Sequence, residues 1–333
     1  MALGMSSPSR ADEPAAQTAD QAISHALDFL AANQAPDGSF GAGQKPAVTG
    51  LTLMAFLSCG HTPNAGKFEP NIGKYGTNVR AAIDYLIAQA QADGSFGRPE
   101  RAMYGQAIAT LALAQAYGVD LSEIQRTRTA SILAASVKFI VTAQEIRKPD
   151  LYARGWGNDP GAGDSNLSAS AWNVMALRAC QDVGIAVPRA AIERAERFVL
   201  KCYNPQTHGF SNQPGGTVLP ALTAIGIVCL ASVNATRPEM PAAIQTLLSR
   251  PVDDAAPFPY EGLYNATQAA FAAGDAAASQ VSLITFDAFR QAQLSDGGWP
   301  NISESLGAGR TYATSMAVLT LALPYRLMPG HQR

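Results

Sequence analysis

The side chains in this sequence that could carry chemistry are few and widely spaced. The four cysteines, Cys59, Cys180, Cys202 and Cys229, are far from any C-x-x-C spacing, and Cys59, Cys180 and Cys229 sit in apolar helical runs. That setting describes buried free thiols. The four histidines, His25, His61, His208 and His331, show no H-E-x-x-H or similar pairing. No zinc site is therefore expected from a local motif, and no metal or cofactor is assigned. Asp159, Asp164 and Glu261 stand just before apolar runs, the only acids so placed near the start of a buried segment. Read locally, they cap helix N-termini or solvate loops. Arg310, beside Tyr312, is the one well-placed cation.

These groups belong to a chain of 333 residues that is 47% apolar and only 15% charged. The usual charged share is about 25%. Lys and Arg total 24 and Asp and Glu total 26, a net charge of −2. Disorder needs low hydrophobicity and high net charge, and this chain has neither. It also lacks the basic excess or clusters of a nucleic-acid binder. No stretch reaches the ~18 uninterrupted apolar residues of a membrane span. So few charges among so many small residues point to closely packed helices with a large interior.

The packing follows a repeat. Phe29-Leu30, Gln34 and Asp37-Gly38-Ser39-Phe40-Gly41 form the first copy. Tyr85-Leu86, Gln91 and Asp93-Gly94-Ser95-Phe96-Gly97 form the second, and Phe139-Ile140, Gln144 and Gly155-Trp156-Gly157 the third. Phe198-Val199 with His208-Gly209-Phe210 is a weaker fourth, and Phe258 to Gly262 a degenerate fifth. Phe289, Gln293 and Asp296-Gly297-Gly298-Trp299 close the series. Each marker lies between two helical patterns. Helices are expected before the markers at 18–33, 77–91, 122–145, 188–202, 238–249 and 277–294. Others are expected after them at 47–58, 103–117, 167–183, 217–232, 262–273 and 309–324. No convincing strand is expected. The first set carries charge on one face, and the second is almost uncharged. A helix that is apolar all round is buried on every side. The fold class expected is therefore all-α, a closed α/α toroid of about six helical hairpins with inner and outer rings. In each hairpin the marker Gln and aromatic ring should tie an outer helix to the turn, with Gly permitting the bend.

The recurring Gln, Gly and aromatic unit resembles the repeat of triterpene cyclases and protein prenyltransferase β-subunits, the prenyltransferase and squalene-oxidase repeat. The likeness runs from about residue 18 to 330. The closing run from Tyr312 to Ala317 looks like bacterial single-toroid members of that group. The resemblance implies an α/α toroid. It also implies site residues that can be sought one by one. Cyclases of this kind protonate a polyprene with an Asp of a D-x-D-D motif at an inner-helix start. The best match here, Asn166-Leu167-Ser168-Ala169 before Ser170-Ala171, puts Ser168 at the acid position, and no D-x-D-D occurs anywhere. The zinc-holding Asp-x-Cys of the prenyltransferases is also missing, and a single Arg310 is no diphosphate cradle. The chain is about half the length of a two-toroid cyclase. Fold likeness alone does not assign function.

Inner helices of a toroid begin at one rim, so their first turns can line the central hollow. Those turns supply Tyr104, Gln106, Asp164, Ser168, Ser170, Trp172, Tyr264, Thr267, Arg310, Tyr312 and Thr314 as ligand-cavity candidates. They form a nearly neutral set rich in aromatics and hydroxyls, suited to a ligand with an apolar body and a few polar groups. Two function classes follow. One is a protein that binds an apolar, isoprenoid-like small molecule or docks a protein partner. The other is a terpene cyclase-like or transferase enzyme with a non-standard site. Residues 17–333 are expected to form one domain. Residues 1–16 read as a disordered leader, either a floppy terminus or the remnant of an export signal lacking its apolar segment. The compartment, cytoplasmic or exported, stays open.

Overall fold

Local signals start and stop the helices of this computed structural model, which describes residues 13–63, 73–97, 102–119, 121–234, 236–252, 259–301 and 309–325. Among them run α1 (Glu13–Ala32), α2 (Lys45–Ser58), α3 (Gly76–Gln89), α4 (Ala102–Tyr117), α5 (Glu123–Glu145) and α6 (Leu167–Asp182). They continue with α7 (Arg189–Lys201), α8 (Pro220–Asn234), α9 (Met240–Ser249), α10 (Pro259–Ala273), α11 (Asp275–Ala292) and α12 (Arg310–Leu321). Ser122 and Gln125 form a reciprocal capping box on α5, and the Asn166 side chain accepts from the Ala169 N–H at the start of α6. Gly60 and Gly184 follow helix ends with positive φ.

The even-numbered helices form the inner ring. Each packs on the next, and α12 packs on α2, so the ring closes. Every described side chain of α2 from Ala47 to Ser58 is buried, as is every one of α12 from Thr311 to Leu321. The odd-numbered helices lie outside, α3 on α2, α5 on α4 and so on, with α1 on α12. Helix α7 shows the outer pattern most clearly. Ala191, Ile192, Ala195, Phe198 and Val199 are buried, while Arg189, Glu193 and Arg197 face away from that stripe.

The markers join neighbouring hairpins as well as their own two helices. Gln34 Nε2 donates to Gly38 O and, at 3.0 Å, to Asn78 O of α3. Gln144 Nε2 donates to Arg154 O and to Ala191 O of α7. Gln293 Nε2 donates to Gly297 O and to Ala22 O of α1, across the closure of the ring. The expected tie through Gln91 is a correction. Ala90 stands at the register of Gln34 and Gln293, and Gln91 Nε2 donates to nearby Gln89 O. Gln106 from α4 and Ser136 from α5 take over, both donating to Gly94 O at 2.8 Å.

The glycines of the first, second and last markers are set by the same junction. A Cβ on Gly38 would lie 2.4 Å from Ala81 O, on Gly94 2.3 Å from Ala135 O, and on Gly297 2.3 Å from His25 O. All three also have φ near +85° to +87°. The turn therefore needs glycine because the next outer helix's backbone sits against it and because φ is left-handed.

The expectation of no strand is also corrected. Tyr203–Asn204 (β1) and Gly209–Phe210 (β2) pair antiparallel within the fourth marker. Asn204 Oδ1 accepts from Gln206 and Thr207 N–H, and His208 takes φ +55°, which turns the chain without an Asn-Gly pair. Helix α1 begins at Glu13, inside the stretch read as a leader. Residues 1–12 and the fifth-marker residue Phe258 lie outside the described residues.

Gly297→Ala should lower unfolding stability by about 3 kcal/mol or more, because it adds a clash with α1 to a strained φ. Gly163→Ala, with open space around it, should shift stability by less than about 0.5 kcal/mol. Urea unfolding midpoints of the two variants test the contrast.

Candidate functional site

The inner-helix hydroxyls have a repeated partner. In the five markers other than the degenerate fifth, the N–H of the described aromatic donates to a side-chain oxygen of the following inner helix. Phe40 N meets Thr49 Oγ1 at 2.9 Å, Phe96 N meets Gln106 Oε1 at 3.0 Å, and Trp156 N meets Ser170 Oγ at 3.0 Å. Phe210 N meets Thr223 Oγ1 at 3.1 Å, and Trp299 N meets Thr314 Oγ1 at 3.0 Å. The indoles of Trp156 and Trp299 also donate to outer-helix carbonyls, Ile140 O and Phe289 O. Gln106, Ser170 and Thr314, expected as cavity candidates, are buried and spend these oxygens on the marker backbone. Their polar atoms answer buried N–H groups that would otherwise lack a partner. Thr267 is likewise buried and donates to Leu263 O at 2.9 Å along its own helix.

Other candidates stand at the rim. Asp164 is exposed and accepts from Gln213 Nε2. The Ser168 amide and hydroxyl both donate to Asn212 Oδ1. Arg310 is held from three sides. Its Nη1 and Nη2 donate to Asp296, its Nε donates to Trp299 O, and its guanidinium lies 4.7 Å from the centre of the Phe29 ring. It braces the last marker and does not point a cation at the hollow.

A second group gathers at the ring axis. Trp172 Nε1 on α6 donates to Glu261 Oε1 on α10 at 2.8 Å. The Tyr104 ring on α4 meets Trp172 edge-on, with centroids 5.7 Å apart. Burial, and next the neighbouring Glu261 carboxylate and Tyr312, hold the Tyr104 hydroxyl well above its ordinary pKa. Helices α4 and α10 are three steps apart in a ring of six, so side chains from both meet only near the axis. Tyr104 as a whole remains half-buried there. Glu261, Tyr264 and Gln268 share one face of α10 at helical spacing. Tyr264 is buried, which raises its pKa, and Gln268 Nε2 is enclosed without a hydrogen-bond partner among the described residues.

Glu261 is the residue that local sequence reading misplaced. It was expected to solvate a loop or cap a helix. It stands in the first turn of α10, 6% exposed, and is the only charged side chain buried among the described residues. The available signal was its position as the single acid ahead of an otherwise uncharged inner segment. Its partner Trp172 is 89 residues away, which no local pattern reveals. Among the described residues no group of three or more His, Cys, Asp or Glu gathers as a metal site, and no helix is long and apolar enough to cross a membrane.

Solved structures share this architecture. A D-mannose isomerase matches with TM-score 0.58 and 13% identity, over 97% of this chain and 99% of that one. A protein from Actinoplanes matches with TM-score 0.54 and 14% identity, over 95% and 100%. A variant of the type II terpene cyclase MstE from Scytonema, bound to geranylgeranyl dihydroxybenzoate, matches with TM-score 0.54 and 16% identity, over 94% and 99%. These likenesses show the α/α-toroid fold, which a terpenoid cyclase also uses. No protein-family model matches the sequence, and no curated protein does.

The buried acids of this interior predict loss of stability in alkali. Burial pushes the thiols of Cys59, Cys180, Cys202 and Cys229 from 9.0 to about 12, and the Tyr75 hydroxyl from 10.0 to about 12. Burial also raises Tyr104 and Tyr264. Above about pH 9 the unfolded chain releases protons that the folded chain retains, so folding weakens with rising pH. The contribution is complete below about pH 9 and lost as pH passes about 12. Unfolding midpoints at about pH 8 and about pH 11 should show a clear fall.

Proposed function

We propose that the toroid is a binding module whose hollow, at the first turns of the inner helices, takes a small molecule with an apolar body and a polar end. The observation that supports this most directly is the axial cluster of Tyr104, Trp172 and Glu261, with Tyr264 and Tyr312 beside it. Aromatic faces suit an apolar ligand body, and a few convergent polar atoms fix its orientation. An isoprenoid-like ligand fits that character. A protein partner at the rim is the reading that remains if no small molecule binds.

Catalysis by a terpene cyclase-like route has less support in these residues. Ser168 occupies the position where the resemblance places an acid, and its hydroxyl donates to Asn212. Glu261 accepts the Trp172 N–H. The structural neighbours named above include an isomerase of a sugar and a cyclase of a terpenoid, so one architecture serves distinct chemistries.

Native mass spectrometry and solvent extraction of the purified protein should reveal a co-purifying apolar small molecule. Tyr104→Ala and Tyr312→Ala should each weaken its binding by about tenfold through loss of ring contact. Unchanged affinity in both variants would overturn the assignment of the hollow. Release of a cyclised product from squalene or a polyprenyl diphosphate would replace binding with catalysis.

A further inference from the structure

Tyr104 and Glu261 interact near the axis, and each is the third residue of its helix. Helical spacing carries the Tyr104 face of α4 on through Ile108 and Leu111 to Gln115, and the Glu261 face of α10 on to Gln268. Exposure follows the same stripe. From Ala107 to Ala116 every residue of α4 is fully buried except Leu111 and Gln115, each 7% exposed. On α10, Gln268 is partly exposed between buried Thr267 and Ala269. The hollow therefore continues past the first turns, with an amide on each of two opposite walls.

The fold does not use these two amides. Gln115 Oε1 and Gln268 Nε2 are enclosed and have no hydrogen-bond partner. By contrast, Gln106 and Gln144 spend their amides on marker backbone. A buried polar atom left unpaired costs stability, so its retention calls for a ligand or an ordered water. At a rise of about 1.5 Å per residue, Gln115 lies about 16 Å beyond Tyr104, and Gln268 about 10 Å beyond Glu261. Their offset along the axis is about one turn, and one group making two hydrogen bonds of about 2.8 Å covers such a distance. Helix α4 carries no charge, and α10 carries only Glu261, two turns away. An ion beside these amides would lose hydration with no counter-charge on either helix.

We infer that Gln115 and Gln268 form a polar station inside the hollow, which receives the uncharged end of an apolar ligand, a hydroxyl or a primary amide. The inference rests on the binding-module reading above and goes further by assigning the head group and its depth. Gln115 Oε1 needs a donor and Gln268 Nε2 needs an acceptor. A hydroxyl or a primary amide supplies both, and it still does so if either glutamine rotates to exchange its oxygen and nitrogen. The apolar body then lies along Ile108 and Leu111, toward the Tyr104 and Trp172 rings.

Farnesol and farnesene share a branched apolar chain, and only farnesol ends in a hydroxyl. Titration of the intact protein, followed by its tryptophan fluorescence, should give farnesol about tenfold the affinity of farnesene. Gln115→Met and Gln268→Met keep the side-chain length and remove the amide. Each should weaken farnesol about tenfold and leave farnesene unchanged. Each should also hold or raise the unfolding midpoint of the ligand-free protein, because a buried amide without a partner is gone. Equal affinity for the two probes overturns the inference and leaves the binding module standing. Unchanged farnesol affinity in both variants, or a lower midpoint in both, assigns the amides to the wall or to buried water and also overturns it. Failure of farnesol, farnesene and every extracted lipid to bind overturns the binding module itself.

Discussion

The contact on which this architecture depends is the one between a marker turn and the outer helix of the next hairpin. At Gly38, Gly94 and Gly297 the turn comes so close to a neighbouring backbone carbonyl that no side chain fits. Such an approach would bury unpaired carbonyls, and a Gln, or Gln106 with Ser136, supplies the donors. On the inner side a hydroxyl or amide oxygen receives the N–H of the marker aromatic in every described hairpin except the fifth. One small motif thus fixes three helices at once.

The same constraint decides which polar groups are left for the ring axis. Polar groups at the first turns of inner helices are drawn into the wall wherever a marker N–H needs an acceptor. Those that escape this demand, Tyr104, Trp172 and Glu261, are the ones that reach the axis. The wall polar groups are structural because of their register, and the axial groups, outside that register, meet one another instead. The buried Glu261 carboxyl is tolerable here because the Trp172 indole N–H supplies it with a hydrogen-bond partner.

The ring was legible in the sequence because its signals are local and repeated. Apolar runs of helical period alternated with Gln, Gly and aromatic turns, and the boundaries follow these closely. Two features were not legible. The second marker keeps its junction after losing the Gln register at Ala90, because groups from two other helices converge on Gly94 O. The hydroxyls at Ser170 and Thr314 look alike in sequence whether they face a ligand or a backbone N–H. Glu261 shows the opposite case, since its surroundings come from α4 and α6, and only closure of the ring brings them together.

Closure also changes how the repeats share stability. In an open stack the end units have one neighbour each and usually need a polar cap. Here Gln293 and Gly297 place the last turn on α1, so every hairpin has a neighbour on both sides and none is terminal. A ring without ends has no natural point from which to fray. Unfolding must begin by parting one junction, after which the remaining hairpins form an arc with two uncapped faces. The molecule should therefore lose its order in one cooperative step, and the junction between the final turn and α1 is where circular continuity is won or lost.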